Sequence, residues 1–566
     1  MIYIPFLRSL VFGCFLLLNT LWAIASSPKR EVRAVWLTTL SGLDWPTTYA
    51  HGRAGIQAQK EELCDLLDRL QAAGINTVLL QTRIRGTVIY PSALEPWDGC
   101  LSGTPGKAPG YDPLAFAVEE SHRRGMELHA WVVAFPVCSQ TVARQLGKQA
   151  FHRKHPELCQ RTGDRWMMDP GVPETADYLA RLCGEIAANY DVDGIHLDYI
   201  RYPEKEIPFN DRTTYNRYGR RQNKAEWRRN NVTRCVTRIH RTVKTLKPWV
   251  KMSCAPVGKA EDLSRYSSRG WNAYHAVSQD AQGWLRNGLM DMLFPMMYFR
   301  GDHFYPFALD WTEQAEGRPI VPGLGIYFLS PKEKDWPLST ITQEMEFLRT
   351  IGAGGQAFFR SRFFTDNLKG LYRYTQRFYT RPALTPALTW EDSSIPETPT
   401  DLRRIPSTGR ITLEWTPATT SDKRGIRYNV YRSDRYPVDT EDAANLIRAN
   451  LQQANCELPA WTPENRHAYY AVTAMNRFGN ESLPVTSTPP IRPTADTRLL
   501  PNNGKTVSLP AGEADKVIVT DMTGQTVCAQ SYRTELPIGH LASGFYRVGS
   551  LNKKGRSFHL GCFIKK

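Results

Sequence analysis

From Val32 to about Phe378 the chain repeats one pattern eight times, a short apolar strand followed by a helix. Strands that alternate with helices pair in parallel, with the helices as crossovers. The expected strands are Val32–Leu37, Thr77–Thr82, Glu127–Val133, Gly194–Asp198, Lys251–Ala255, Met292–Met297, Ile320–Leu324 and Gln356–Phe359. The first helix shows the signal clearly. Leu63, Leu66, Leu67 and Leu70 recur at helical spacing, and Gly74 closes the run. Asp112-Pro113 opens the next helix as cap and first-turn proline. Eight such units in about 350 residues fit an α/β fold, a (β/α)8 TIM barrel over residues 31–380, with long loops.

In a barrel of this kind the chemistry sits at the C-terminal tips of the strands. The fourth strand reads Asp193-Gly-Ile-His-Leu-Asp-Tyr-Ile-Arg-Tyr-Pro203. Side chains alternate along a strand, so Ile195 and Leu197 face the helices while His196 and Asp198 point inward. Burying a carboxylate costs several kcal/mol unless it is paired, so an inward Asp198 argues for chemistry rather than architecture. The same parity, applied to the other strands and their loops, gives an expected mouth of Trp36, Asp44, Trp45, Gln81, Arg83, His129, Trp131, Asp169, His196, Asp198, Arg201, Tyr298 and Arg360, with Tyr199 beside them. Aromatic rings cover the apolar faces of sugars, and polar groups bind the hydroxyls. Several of these residues also have structural readings. His129 and His196 read more readily as structural donors than as catalysts. Trp36 and Trp131 read equally well as barrel filling. Arg83 and Arg201 would neutralise Asp198 and lower its pKa.

The chain has 566 residues, 42% hydrophobic and 22% charged, a composition for a folded protein of several domains. Met1 to Ala25 reads as a signal peptide: a basic start, an apolar run from Leu10 to Ile24 and an Ala23-Ile24-Ala25 cleavage pattern. Export to the periplasm, cell surface or medium is therefore expected, with membrane contact only through lipidation or surface anchoring. The 11 cysteines are scattered, with no C-x-x-C pair, which excludes a zinc module or a disulfide scaffold. No H-E-x-x-H or comparable metal set is present, and no cofactor is expected. The formal charge is +15, densest between Arg212 and Arg241. That run reads first as a solvated helix face and second as attraction to an acidic polymer. No nucleic-acid module is legible, so a glycan is the better partner.

Residues 381–394 are rich in Pro, Thr and Ser and read as a linker. Two small all-β sandwich modules are expected beyond it. Residues 395–493 resemble a fibronectin type III domain, on Trp415 in "ITLEW", Tyr428 and Tyr431 in "RYNVYR", and Tyr470 in "AYYAVTAMNRFGNES". Residues 500–566 resemble the C-terminal sorting domain of the type IX secretion system, on Asp521-Met-Thr-Gly524, Leu541-Ala-Ser-Gly544-Phe-Tyr546 and the final Lys565-Lys566.

The barrel itself resembles the glycoside-hydrolase-like family 10, the DUF187 group. The segments "EVRAVWLTTLSGLDWP", "GINTVLLQTRIRGTVIYPS", "GYDPLAFAVEESHRRGMELHAWV", "MDPGVPETADYL", "DVDGIHLDYIRYP", "NKAEWRRNNV" and "FPMMYF" carry the likeness in order. It implies a barrel hydrolase of bacterial glycans, with some members linked to peptidoglycan stripped of its peptides. The fourth strand also resembles the α-amylase clan, which implies a nucleophile or base at Asp198. Many relatives show a second acid where Tyr199 stands here. Glycoside cleavage usually needs two carboxyl groups. Asp169 and Asp302 are the leading candidates for the second, ahead of Glu261, Asp262 and Asp44. The expected function is an exported glycoside hydrolase of an envelope glycan, such as peptidoglycan glycan strands. A non-catalytic glycan-binding protein on the same scaffold is the alternative. A metal-dependent deacetylase using His129, His196 and Asp198 is disfavoured by their spacing.

Overall fold

The computed structural model describes residues 27–566 except 205, 220, 267–269, 408–409, 419–424, 460–467, 488–497, 513 and 554–555. The expected signal peptide lies outside the described residues, as does the end of the fibronectin-like segment.

Eight parallel strands form one sheet. They are β1 (Val32–Leu37), β2 (Thr77–Arg83), β3 (Glu127–Val133), β4 (Gly194–Asp198), β5 (Lys251–Cys254), β6 (Met292–Leu293), β7 (Gly323–Leu324) and β8 (Gly355–Phe358). Their order is β7-β8-β1-β2-β3-β4-β5-β6. Parallel bridges from Leu293 to Ile320 and from Met296 to Gly323 join the two ends and close the barrel. β6 and β7 are shorter than the sequence suggests. Pro295 and Pro322 lack the N–H that a continuous ladder needs.

The crossovers are α1 (Gly52–Ala72), α2 (Pro113–Arg123), α3 (Pro173–Asn189), α4 (Lys224–Leu246), α5 (Ala281–Arg286), α6 (Tyr305–Glu313) and α7 (Leu338–Thr350), and α8 (Leu371–Phe378) follows β8. Asp112 caps α2 by accepting a hydrogen bond from the Ala115 amide at 3.0 Å. The basic face of α4 is largely engaged locally. Arg228 and Lys224 both hold Asp211, and Arg238 holds Asp177.

The strand parity partitions the core. Val35, Leu37, Val78, Leu80, Leu128, Ala130, Ile195 and Leu197 join the cluster beneath the helices. Ala34, Trp36, Leu79, Trp131, Val133 and Phe294 form a separate cluster inside the barrel. At the N-terminal ends of the strands, polar side chains replace the apolar filling. Lys251 donates to Glu127 at 2.5 Å and to Thr385 at 2.9 Å. Arg349 and Arg33 both donate to the Glu31 carboxylate.

These contacts bear on residues 381–394, expected as a linker. Arg33 donates to the Arg381 carbonyl, and Thr385 joins the Glu127–Lys251 group, so this half belongs to the barrel. The second unit begins at Ala387. There the Leu388 amide donates to the Phe478 carbonyl at 2.7 Å, and Asn480 donates to the Asp392 carbonyl. The unit contains small antiparallel sheets around separate cores. A three-stranded and a four-stranded sheet enclose Leu413, Trp415, Tyr428, Val430, Tyr470 and Val472. A four-stranded and a two-stranded sheet enclose Val507, Val519, Leu536, Tyr546, Val548 and Phe563.

One buried group in the barrel wall has a measurable consequence. Glu344 on α7 is 1% exposed, and neither carboxyl oxygen has a hydrogen-bond partner among the described residues. Burial raises its pKa well above the ordinary glutamate value. The native state therefore holds a proton that the unfolded chain releases once the pH passes about 4.3. Stability from this group is complete below that pH and is lost as pH rises toward the folded value, at up to about 1.4 kcal/mol per unit. Glu344→Gln removes this slope. In thermal melts its advantage over the wild type should grow from pH 5 to pH 8, on the order of several degrees. A constant gap across that range would show that Glu344 is already solvated or paired in the native protein.

Candidate active site

The site is assembled from the top of the barrel filling upward. Trp36, His196 and Phe294 form an aromatic layer, with ring centroids 5.1–6.1 Å apart. The Trp36 indole N–H donates to His196 Nε2 at 3.1 Å, and His196 Nδ1 lies 3.0 Å from the Ser253 hydroxyl. Burial holds the His196 pKa well below its ordinary value, so the ring is neutral. Two residues on, a rise of about 7 Å along the strand, Asp198 stands above this layer at the tip of β4.

Asp198 is buried and held by one donor on each oxygen. Trp131 Nε1 donates to Oδ2 at 3.1 Å, and the Tyr199 amide donates to Oδ1 at 2.7 Å. Tyr199 has φ of 49°, in the left-handed region that a tyrosine rarely adopts. Strained backbone of this kind persists where the surroundings hold it, often at functional sites. Burial pushes the Asp198 carboxyl up to about 6, against the opposing effects of Arg201, the Tyr199 amide, Trp131 and Arg85. The expectation that arginines would leave Asp198 with a lowered pKa is therefore corrected. Desolvation outweighs them.

Asp198 opens into a cleft of about 760 Å³. Gln81, Trp131, Tyr199, Arg201, Tyr298 and Arg360, all expected at the mouth, line it. Gln81 Oε1 accepts from the Thr39 and Leu40 amides at 3.1 and 3.0 Å, which shapes the loop after β1. Arg201 pairs with Glu204 at 2.8 Å and lies over the Tyr199 ring at 4.7 Å and the Trp271 ring at 5.7 Å. Tyr199 and Trp271 are 40% and 43% exposed, so two rings lie open beside Arg201. One wall is an excursion after β3, three short strands at Pro136–Ser139, Cys159–Thr162 and Arg165–Met168.

Other expected residues lie elsewhere. Trp36 and His196 fill the layer below. Asp44 is buried beside the mouth, where it pairs with Arg360 and accepts from the Thr38 amide. Trp45 is fully buried and donates to the Gln59 carbonyl of α1. Arg83 is turned away from Asp198 because the β2–β3 register slips between Gln81 and Arg83, which reverses the side-chain parity. It is fully buried against Glu95. His129 sits deeper in the barrel, 3.2 Å from Glu127.

The two leading partners for Asp198 are also outside the cleft. Asp169 is spent on local structure, accepting from the Gly171 amide at 2.8 Å and the Thr214 hydroxyl at 2.6 Å. Asp302 lies in a short turn that borders a different cavity with Arg300, His303 and Tyr305. The carboxylates that do line the cleft are Asp164, Glu204 and Glu206, together with Asp198. Sequence reasoning missed them because they lie on loops, where neither periodicity nor strand parity applies. Among the described residues, no group of three or more His, Cys, Asp or Glu side chains is arranged to hold a metal.

This geometry can be set beside known proteins. The family model described as "Glycosyl hydrolase-like 10" matches residues 31–327, slightly more than half the chain. The chain is 30% identical over 507 residues to "Glycosyl hydrolase YngK" of Bacillus subtilis (strain 168), covering 85% of this chain and 97% of that protein. It is 33% identical over 352 residues to "Glycosyl hydrolase DigH" of Escherichia coli (strain K12), covering 57% and 80%. Among solved structures, the PgaB (BpsB) glycoside hydrolase domain from Bordetella bronchiseptica aligns with a TM-score of 0.42 at 14% identity, over 61% of this chain and 99% of that one. The family match extends through β1 to β7, including the strand that carries Asp198. The chain belongs to the glycosyl hydrolase-like 10 family.

Proposed function

We propose that this chain is an exported glycoside hydrolase of a bacterial envelope glycan, such as the glycan strands of peptidoglycan, with Asp198 as its catalytic carboxyl. The observation that carries the reading is Asp198 itself, a buried acid with its pKa near 6 at the strand tip, opening into an aromatic cleft. An ordinary aspartate near pH 6 is almost wholly ionised and has no proton to give. A carboxyl raised to this range suits proton donation to a leaving sugar oxygen. This favours the general-acid role for Asp198 over the nucleophile or base that the α-amylase likeness implies, and the pH profile decides between them. The partner role falls to Glu204, which lines the same cleft and is ion-paired with the arginine that also faces Asp198. Tyr199 and Trp271 supply open rings for sugar stacking. The two relatives support a glycosyl hydrolase by their names, and the Met1–Ala25 pattern supports export.

The test is release of reducing ends from purified glycan strands, with the product anomer followed by NMR. Turnover with loss of activity in Asp198→Asn supports the reading. Because neither Asp169 nor Asp302 reaches the cleft, a second reading, glycan binding without hydrolysis, is favoured by one outcome: tight binding with no new reducing ends.

A further inference from the structure

The cleft at Asp198 does not end at its own wall. A second cavity of about 690 Å³ lies beside it and shares three lining residues with it, Leu40, Arg85 and Arg165. Arg85 is set at this junction by the chain itself. It follows β2 in a tight turn in which the Ile84 amide donates to the Thr87 carbonyl at 2.9 Å. The next residue, Gly86, has φ of 74°, and a Cβ there would crowd Val137 of the excursion. Glycine permits the turn and the close approach that bring Arg85 to the cleft.

The charge at this junction is not balanced locally. Arg201 has Glu204, Arg360 has Asp44 and Arg83 has Glu95. Arg85 is half-buried and, among the described residues, has neither a hydrogen bond nor an ion pair. Its pKa is lowered, first by burial and then by the charge of Arg165. Among the described residues, Arg165 has a loose contact, 3.6 Å, with an exposed Asp164. The acids whose charge reaches Arg85 are committed to other donors. Asp98 accepts from the Cys100 amide and the Thr87 hydroxyl, and Asp198 is held by Trp131 and Tyr199. Arg85 and Arg165 thus face the shared space with no carboxylate bonded to Arg85 among the described residues and with a loose Asp164 contact on Arg165, an arrangement that can receive an anion. Their planar forks suit a carboxylate in particular.

We propose that Arg85, with Arg165, forms a subsite for a carboxylate-bearing sugar next to the cleavage point, and that the glycan runs on into the second cavity. The inference rests on the hydrolase reading and adds to it the charge of the substrate and the direction in which the chain continues. A lactyl ether on an amino sugar and a uronic acid present the same chemistry.

The experiment compares glycan strands bearing free lactyl carboxylates with the same strands reduced to the alcohol, and with a polyuronate. The full-length protein is used throughout. The wild type should cleave the acidic strands with a kcat/KM about tenfold or more above the reduced ones, the scale of charge-assisted hydrogen bonds. Arg85→Gln should collapse that ratio toward one, mainly through KM, and Arg85→Lys should restore part of it. Preference for strands over polyuronate identifies the lactyl source, and the reverse identifies the uronic acid. Equal rates on acidic and reduced strands in the wild type overturn the subsite while leaving the hydrolase reading intact. An undiminished preference in Arg85→Gln does the same. If the wild type cleaves nothing, calorimetric binding of the acidic and reduced oligosaccharides decides. Equal affinity overturns the subsite, and a preference lost in Arg85→Gln supports it although hydrolysis has failed. Should Arg85→Gln not fold by circular dichroism, Arg165→Gln carries the same comparison.

Discussion

Asp198→Asn is expected to lower turnover of glycan strands by a factor of about 10² or more while leaving their binding nearly unchanged. Asparagine keeps the size of the side chain and can still accept from the Trp131 indole N–H, so the cleft should hold its shape. It cannot release a proton to a leaving oxygen. The pH profile separates the roles that a carboxyl can play. Burial raises the Asp198 pKa to about 6. As a general acid it must be protonated, so kcat/KM for the free enzyme should fall about tenfold per unit above that pH. As a nucleophile or base it must be ionised, and activity would instead fall below that pH. Loss of the acid should matter less on substrates with good leaving groups, such as aryl glycosides. Glu204→Gln should lose activity on both kinds of substrate if it supplies the opposing group. Wild-type turnover in Asp198→Asn would remove this residue from the chemistry altogether.

How much of this is legible in the sequence depends on which physical signal carries each feature. The barrel is legible because eight strand-and-helix periods are written in apolar spacing, and the two strands whose lengths depart most from expectation, β6 and β7, are the two broken by proline, Pro295 and Pro322. Parity told correctly which side chains of β3 and β4 point inward. It carries no information on depth. His129 and Asp198 both point inward, yet one is locked beside Glu127 low in the barrel and the other reaches the cleft. Parity also fails where register slips. One irregularity after Gln81 turns Arg83 from the mouth to the wall, and the chain beyond it brings Arg85 into the cleft instead. The pattern Arg85-Gly86 is the only sequence trace of that turn. Pairings such as Arg201 with Glu204 join residues in loops and leave no periodic mark.

The largest effect on stability is expected at the pair that this slip creates. Arg83 and Glu95 have fully buried side chains. The guanidinium donates to both Glu95 oxygens, at 2.7–3.0 Å, and to the Ala134 carbonyl at 2.7 Å. The Tyr178 hydroxyl adds a further donor to Glu95 at 3.3 Å. Glu95→Ala leaves the guanidinium buried with no opposing charge, which costs about 3–5 kcal/mol. Arg83→Met with Glu95→Leu removes both charges and fills the space with apolar groups, so it should recover most of that loss. Urea titration of the barrel transition by tryptophan fluorescence measures both. The effect should extend to the cleft, because Arg83 also donates to the Val133 carbonyl at the end of β3, and Val133 lines the cleft and is register partner to Asp198. The double variant should therefore keep its stability yet lose some activity, since its new side chains no longer hold the β3 carbonyls in place. A Glu95→Ala midpoint within error of the wild type would show that water or another anion replaces Glu95, and that this pair is not what fixes the end of β3.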